Sequence, residues 1–185
     1  MDGADIFEIF YSNFTGSPDY QGLSDVLDLL NRKYIKISKT KTGFNKADYQ
    51  TTVDKILDGQ IKSIDYQGGS NNHLALKVLA EEYIRNNFGL KSSLEYNFFG
   101  RIPDVISLDK NIIFECGDTD PWKVTEYFRN DDNLKVFIFP YPGDDEEELF
   151  TYEIIKGKEG LKDYLLQKQL DGLSAVKKII RARKH

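Results

Sequence analysis

Two acidic residues, Asp104 and Glu115, stand in apolar stretches on either side of a short polar turn at residues 109–111. Each acid lies at a similar distance from that turn, so pairing of the flanking strands would bring the two carboxylates together. A carboxylate among apolar neighbours is unfavourable unless a cation pairs with it. Paired oxygen ligands suit Mg²⁺ or Mn²⁺, and such an ion can activate water and stabilise charge on a phosphodiester. The spacing therefore predicts a divalent-metal site at Asp104 and Glu115.

The elements around these two acids follow a definite order from residue 70 onward. A helix is predicted from residue 70 or 71, either of which can cap it, to about residue 87, where Gly89 ends it. Two β-rich runs, LEYNFFG and RIPDVISL, precede the apolar run NIIFEC. A second helix is predicted with Asp120 as N-cap and Pro121 at its first position, and LKVFIFPYP is typical of a strand buried on both faces. The predicted order is helix, three strands, helix, strand.

Residues 1–69 are predicted to form a small N-terminal α+β extension. Helices are expected at about residues 22–32 and 47–57, with strands at YIKIS and QIKSIDYQ and a loop at KTKTGFNK. Such a set could form a winged-helix-like reader of DNA, and the alternative is plain scaffolding. The principal domain is predicted to span residues 70–185, ending in the strand FTYEIIK and a helix from about residue 161.

The stretch GRIPDVISLDKNIIFECG, within this order of elements, resembles the PD-(D/E)XK nuclease superfamily, which includes restriction enzymes and Holliday junction resolvases. The resemblance covers about residues 70–140. Pro103-Asp104 matches the family's Pro-Asp, and Glu115-Cys116 matches the start of its acid-X-lysine element, while Gly117 stands where the lysine is expected. The resemblance implies an α/β, restriction-endonuclease-like core and a Mg²⁺- or Mn²⁺-dependent DNA nuclease working as a homodimer.

Two further residues are candidates for catalysis. Members of the superfamily can supply the basic group from a neighbouring element, and Lys123, one turn into the second helix, is the nearest lysine. His73 lies near the end of the apolar arc of the first helix, whereas Glu81 and Glu82 point away from that arc. The alternatives are a solvated helix lysine and a surface or capping histidine.

The basic residues are unevenly distributed along a chain whose net charge is -5. The run RKYIKISKTKTGFNK holds six basic residues and no acid, and residues 177–184 hold five and no acid. Lys36, Lys39 and Lys41 from the first run are therefore predicted to contact DNA phosphates, as is Arg101 beside the Pro-Asp. Ordinary exposed charge, or pairing of Arg101 with a carboxylate, is the alternative.

Composition excludes several classes of protein. No segment approaches the roughly 20 apolar residues of a membrane span, and the opening residues lack the pattern of a secretory signal. The single cysteine, Cys116, cannot form an internal disulfide, so a cytoplasmic, reducing location without a membrane partner is expected. The sequence has no Cys/His cluster for zinc, no phosphate-binding loop and no Gly-x-Ser-x-Gly.

The leading hypothesis is a metal-dependent nuclease acting on DNA. Because Gly117 occupies the lysine position, two alternatives remain: a catalytically inactive nucleic-acid-binding protein of the same fold, and an assembly protein of a virus or mobile element. A nuclease predicts stabilisation by metal that requires both acids, whereas a binder predicts salt-sensitive DNA binding without metal.

Overall fold

The computed structural model describes residues 3–11, 16–62 and 69–182, with side chains described for residues 5–11, 16–62 and 69–175. Six helices and six strands lie in these ranges. The helices are α1 (Gly3–Phe10), α2 (Tyr20–Asn31), α3 (Lys46–Leu57), α4 (Asn71–Phe88), α5 (Trp122–Asn130) and α6 (Leu161–Ala182). The strands are β1 (Ile35–Asn45), β2 (Ser92–Leu94), β3 (Val105–Ser107), β4 (Ile112–Cys116), β5 (Lys135–Phe139) and β6 (Glu148–Lys156).

All six strands belong to one mixed sheet in the order β1-β6-β5-β4-β3-β2. The pair β4–β5 is parallel and the other pairs are antiparallel. The parallel pair requires a crossover, and α5 supplies it between the two strands. The predicted α/β class is therefore confirmed, with a sheet that also takes in the strand β1 near the N-terminus.

The sheet separates two apolar cores because successive side chains of each strand point to opposite faces. On one face, Ile112, Phe114 and Cys116 of β4 pack with α3 and α4. On the other face, Ile113 of the same strand packs with α1, α2, α5 and α6. The helices therefore cover both faces of the sheet, and any group at the end of β4 lies between α4 and α5.

Helix α4 begins and ends as its sequence predicts. The side chain of Ser70 accepts a hydrogen bond from the His73 amide, which caps the first turn. Gly89 ends the helix in the left-handed region, at φ 67°, where a glycine meets no Cβ penalty. Because the start of the helix is fixed, His73 and the residues one turn further on lie beside the strand ends where Asp104 is found.

Strands β3 and β4 form the predicted hairpin. Val105 pairs with Phe114 and Ile106 with Ile113, and the chain turns just after Ser107. The Ser107 hydroxyl accepts a hydrogen bond from the Ile112 amide at 3.0 Å, which closes the turn. Asp104, just before β3, and Glu115, in β4, therefore lie at the same end of the hairpin.

Three local predictions are wrong or incomplete. The segment KTKTGFNK was expected to be a loop, but β1 continues through Asn45 because β6 supplies its hydrogen-bonding partner. Helix α5 begins at Trp122 with Pro121 as its N-cap residue and no side-chain capping bond, so Asp120 is not the cap. Strand β2 ends at Leu94, the first residue of the run LEYNFFG, so the rest of that run is not part of the strand. Most of the strand predicted at QIKSIDYQ lies outside the described residues.

The N-terminal elements pack on both faces of the sheet. Helices α1 and α2 contribute to the core that contains α5, whereas α3 contributes to the core that contains α4. Strand β1 forms the edge of the sheet beside β6. The domain boundary at residue 69 and the winged-helix-like interpretation stay predictions. In the described part of the chain, no helix has the length and apolar character to cross a bilayer.

Candidate functional site

Asp104 and Glu115 lie at the same end of the β3–β4 hairpin. Asp104 lies just before β3 and Glu115 lies in β4, so the pairing of the two strands brings both to the end of the hairpin away from its turn, as their spacing predicts. The Cys116 amide donates a hydrogen bond of 2.8 Å to Asp104 Oδ2, which fixes the orientation of this carboxylate. The two acids therefore share one end of the sheet, Asp104 facing α4 and Glu115 facing α5.

Asp104 contacts two basic side chains of α4. His73 Nε2 lies 3.1 Å from Asp104 Oδ1, and Lys77 Nζ lies 3.3 Å from the same oxygen. Burial raises the pKa of Asp104, but the hydrogen bond and charge of His73, the Cys116 amide and the charge of Lys77 outweigh that effect. The net result is a pKa below the ordinary value, so Asp104 is an anion at neutral pH.

Lys77 is a residue of this site that the sequence reasoning missed. Its side chain is enclosed, with the residue only 1% exposed, and its ammonium group contacts both Glu95 and Asp104. Burial lowers the pKa of Lys77, but Glu95 and Asp104 raise it by more. The net pKa lies above the ordinary value, so the lysine is charged. The available signal was the spacing, because Lys77 follows His73 by four residues and so lies on the same side of the helix.

Glu95 adopts an unusual backbone conformation to reach Lys77. Its φ is 51°, in the left-handed region that a residue with a long side chain rarely adopts. Its amide donates a long hydrogen bond of 3.4 Å to the Asp104 carbonyl, just beyond the end of β2. Strained backbone of this kind is concentrated at functional sites, because the surrounding contacts must hold it in place.

Glu115 lies deeper than Asp104 and takes its partners from α5. The residue is 1% exposed, Tyr127 donates its hydroxyl proton to Oε1, and Lys123 Nζ donates to Oε2 at 2.6 Å. Burial raises the pKa of Glu115 to about 7, although the charge of Lys123 acts in the opposite direction. The charge of Asp104 adds to the rise.

Gly117 has no room for the lysine that the superfamily pattern places there. Its φ is 72°, and an ideal Cβ on it would lie 2.6 Å from Cε2 of the Tyr141 ring. Both the backbone conformation and this contact make a side chain at the position unfavourable. The cation beside Glu115 comes instead from Lys123, six residues further along the chain.

Cys116 lies between the two acids in sequence, but its thiol is not a nucleophile. The residue is buried in the core on the α4 face of the sheet. Burial, together with the charges of Asp104 and Glu115, raises the pKa of its thiol well above the ordinary value. A neutral, enclosed thiol is unreactive, as its place in an apolar strand predicts.

The donor atoms of this end of the sheet are compatible with a hard divalent cation. A carboxylate offers about four lone-pair positions. In the described contacts Asp104 Oδ2 accepts only the Cys116 amide, and each oxygen of Glu115 accepts one hydrogen bond. Each acid therefore keeps acceptor capacity. Within the described residues no group of three or more His, Cys, Asp or Glu side chains is arranged to hold a metal. A Mg²⁺ ion would take its remaining ligands from water and substrate.

The residues predicted to bind nucleic acid lie in two separate places. Lys36, Lys39 and Lys41 are on β1, three strands from β4, and at about 4.8 Å per strand this amounts to roughly 14 Å. Strand alternation turns Lys36 to the opposite face from the other two. Lys39 lies 3.9 Å from Glu146, and Lys41 pairs with Glu148. The structure does not bring these three lysines to the carboxylates.

Arg101 lies close to the candidate site. Its guanidinium lies 4.7 Å above the Trp122 ring and 3.2 Å from Glu126. Both contacts come from α5, the helix that also carries Lys123 and Tyr127. Arg101 is half-exposed, so its guanidinium can still contact a phosphate while α5 holds it in position.

Comparison of the chain with protein-family models, with curated proteins and with solved structures finds no match. The assignment of a function therefore depends on the geometry of the paired carboxylates and their lysines.

Proposed function

We propose that this protein is a divalent-metal-dependent nuclease of the PD-(D/E)XK kind that hydrolyses phosphodiester bonds in DNA. The observation that carries the proposal is the position of Lys123 Nζ, 2.6 Å from Glu115 Oε2, beside a second carboxylate on the neighbouring strand. The order α4, β2, β3, β4, α5, β5 also supports a restriction-endonuclease-like core.

Asp104 and Glu115 are the residues that would hold Mg²⁺ or Mn²⁺. When bound, such an ion lowers the pKa of a coordinated water and stabilises negative charge on phosphate oxygens. The Cys116 amide and His73 hold Asp104 in one orientation, and the Tyr127 hydroxyl does the same for Glu115. This fixed geometry is what a hydrolytic site requires, because misplacement of the reacting groups lowers the rate steeply.

Lys123 is the residue to which we assign the role of the missing lysine. Its ammonium group neutralises one oxygen of Glu115, and its side chain is 30% exposed, so it also reaches solvent where a phosphate would lie. A cation at this point stabilises the charge that develops on the phosphate during hydrolysis. His73, partly exposed beside Asp104, can accept or donate a proton near the same place.

The first experiment is thermal unfolding with and without Mn²⁺, followed by cleavage of labelled duplex, single-stranded and junction DNA. The wild type should be stabilised by Mn²⁺ and should cleave at least one substrate, and both effects should disappear in Asp104→Asn. Glu159→Gln is a matched control, because Glu159 is a carboxylate with a side chain 91% exposed on the far side of β6. Cleavage that survives in Asp104→Asn would contradict the proposal.

One observation favours a second candidate, a non-catalytic nucleic-acid-binding protein with the same core. Both carboxylates already have a lysine partner, Lys77 for Asp104 and Lys123 for Glu115, so neither requires a metal for neutralisation. Under this alternative the wild type shows no shift with Mn²⁺ and no cleavage, but binds DNA with a strong dependence on salt. An assembly protein would show neither behaviour and would form particles larger than the homodimer proposed for the nuclease.

A further inference from the structure

A tight turn at residues 98–101 lies just before Asp104 and strand β3. Phe98 and Arg101 exchange two backbone hydrogen bonds, of 2.7 Å and 3.0 Å, on either side of it. The two central residues are Phe99 at φ 51° and Gly100 at φ 80°. Positive φ at both central positions defines a type I′ turn, which strongly favours Asn-Gly over an aromatic residue.

Phe99 is exposed in spite of this unfavourable backbone. The residue is 67% exposed, and the left-handed conformation costs a residue with a Cβ about 1–2 kcal/mol. Its neighbour Phe98 anchors the turn in the core, because it is buried and its ring centroid lies 6.2 Å from that of Tyr127. The Asn97 side chain accepts a hydrogen bond from the Gly100 amide and stabilises the turn. The Phe99 ring makes one edge-to-face contact with Phe98, with centroids 4.8 Å apart, and most of its surface stays uncovered.

The turn is coupled to the carboxylates by short connections. Phe98 contacts Tyr127, whose hydroxyl donates to Glu115. On the other side, Arg101 is held over Trp122 and Asp104 follows three residues later. Phe99, five residues before Asp104, thus exposes most of an apolar ring in the turn that ends at the half-exposed Arg101.

We propose that Phe99 stacks on an unpaired base of a nucleic acid, so that the site takes single-stranded DNA or single-stranded ends. This inference rests on the proposed nuclease function. An aromatic side chain stacks on a base only where the face of that base is uncovered, whereas in an intact duplex neighbouring pairs cover both faces. The half-exposed Arg101, at the end of the same turn, suits a phosphate of the bound strand.

The test measures binding of a fluorescent 12-nucleotide single strand and of a blunt duplex, in EDTA so that no cleavage occurs. Phe99→Ala should weaken binding of the single strand by about 5- to 160-fold, the range expected for losing one stacked base. Phe99→Trp should bind as the wild type does, and Phe99→Leu should bind as weakly as Phe99→Ala. Tyr20→Ala, at an exposed aromatic residue of α2, is the matched control and should have no effect.

Two results would overturn the inference. One is equal binding of the single strand by the wild type and by Phe99→Ala or Phe99→Leu. The other is a change in the sedimenting mass of the protein alone in Phe99→Ala, which would make the turn a contact between copies of the chain. A wild type that never cleaves, but loses single-strand binding in Phe99→Ala, would remove the nuclease and retain the stacking. Cleavage of single strands by the wild type, together with single-strand binding unaffected by Phe99→Ala, would retain the nuclease and remove the stacking.

Discussion

Lys123 Nζ lies 2.6 Å from Glu115 Oε2, and this contact joins the first turn of helix α5 to the end of strand β4. Since a side chain at Gly117 would be strained beside Tyr141, this ion pair is how a lysine reaches Glu115. The pair gives the proposed nuclease a basic group in spite of its altered motif.

Removing the Lys123 ammonium should slow cleavage by the folded protein. In Lys123→Met we expect the rate of phosphodiester cleavage to fall by roughly 10²- to 10³-fold, the usual effect of losing one electrostatic stabiliser of the transition state. Lys123→Arg should retain part of the activity, because it keeps the charge. Single-turnover cleavage rates measure this, and Lys91→Met, at an exposed lysine, is the control. Wild-type rates in Lys123→Met would rule out the assigned role.

The burial of Glu115 should make the stability of the protein depend on pH. Its pKa is raised from 4.5 to about 7, so between these values the folded state binds the proton more tightly than the unfolded state. The contribution of Glu115 to the free energy of unfolding is therefore largest below pH 4.5 and is lost as the pH rises to about 7. The total loss is on the order of 3 kcal/mol.

Urea unfolding of the wild type and Glu115→Gln at several pH values tests this dependence. Glutamine cannot titrate, so the free energy of unfolding of Glu115→Gln should rise relative to that of the wild type as the pH increases from 4.5 to 7. Asp104 acts in the opposite sense, because its lowered pKa gives stability that is lost only as the pH falls below 3.8. A constant difference between the two proteins would contradict the expectation.

Lys77 should be essential for stability because it is the buried partner of two carboxylates. In Lys77→Met we expect the free energy of unfolding to fall by about 3–5 kcal/mol, as is usual when a buried ion pair loses one partner. Adding Glu95→Gln should recover part of that loss, since one uncompensated charge is then removed. Denaturant unfolding measures both, with the exposed Lys55→Met as control. No recovery in the double variant would show that Glu95 is solvated without Lys77.

Restoring the superfamily lysine should harm this protein. In Gly117→Lys we expect a loss of about 1–3 kcal/mol of stability and no gain in cleavage, because the Cβ meets the Tyr141 ring and φ is positive. Gly117→Ala separates the effect of the Cβ from that of the charge and should show most of the loss. Thermal unfolding is the measurement. A stable Gly117→Lys with faster cleavage would show that Tyr141 moves aside.

Replacing Phe99 with the residue that its turn favours should stabilise the fold. Phe99→Asn puts Asn-Gly at the centre of a type I′ turn, and we expect a gain of roughly 1 kcal/mol in the free energy of unfolding. The ring is mostly exposed, so the packing lost is limited to its edge-to-face contact with Phe98. Chemical denaturation checks the gain, and Phe98→Asn, at the buried neighbour, should instead be strongly destabilising. A loss of stability in Phe99→Asn would mean that the contact with Phe98 outweighs the backbone strain.

The sequence was sufficient to locate the two acids, because the period of a strand and the position of a turn together determine which residues face each other. It did not reveal Lys77, because apolar residues flank this lysine on α4 and a charge there is usually exposed. It also gave no sign of the positive φ at Glu95 and Phe99, which depends on how β2 ends. The continuation of β1 into KTKTGFNK was hidden for a different reason, since the partner strand lies far along the chain.

The pairing of β1 with β6 has a consequence for how the chain folds. Lys41 and Phe150 are paired neighbours that lie 109 residues apart in sequence. Strand β1 therefore has no partner until most of the chain has been synthesised. Contacts between such distant segments form slowly, and an unpaired strand can add to the strands of other molecules. Lysines along a strand oppose such aggregation by charge repulsion. Lys36, Lys39 and Lys41 therefore oppose aggregation of the newly made chain until β6 is available to pair with β1.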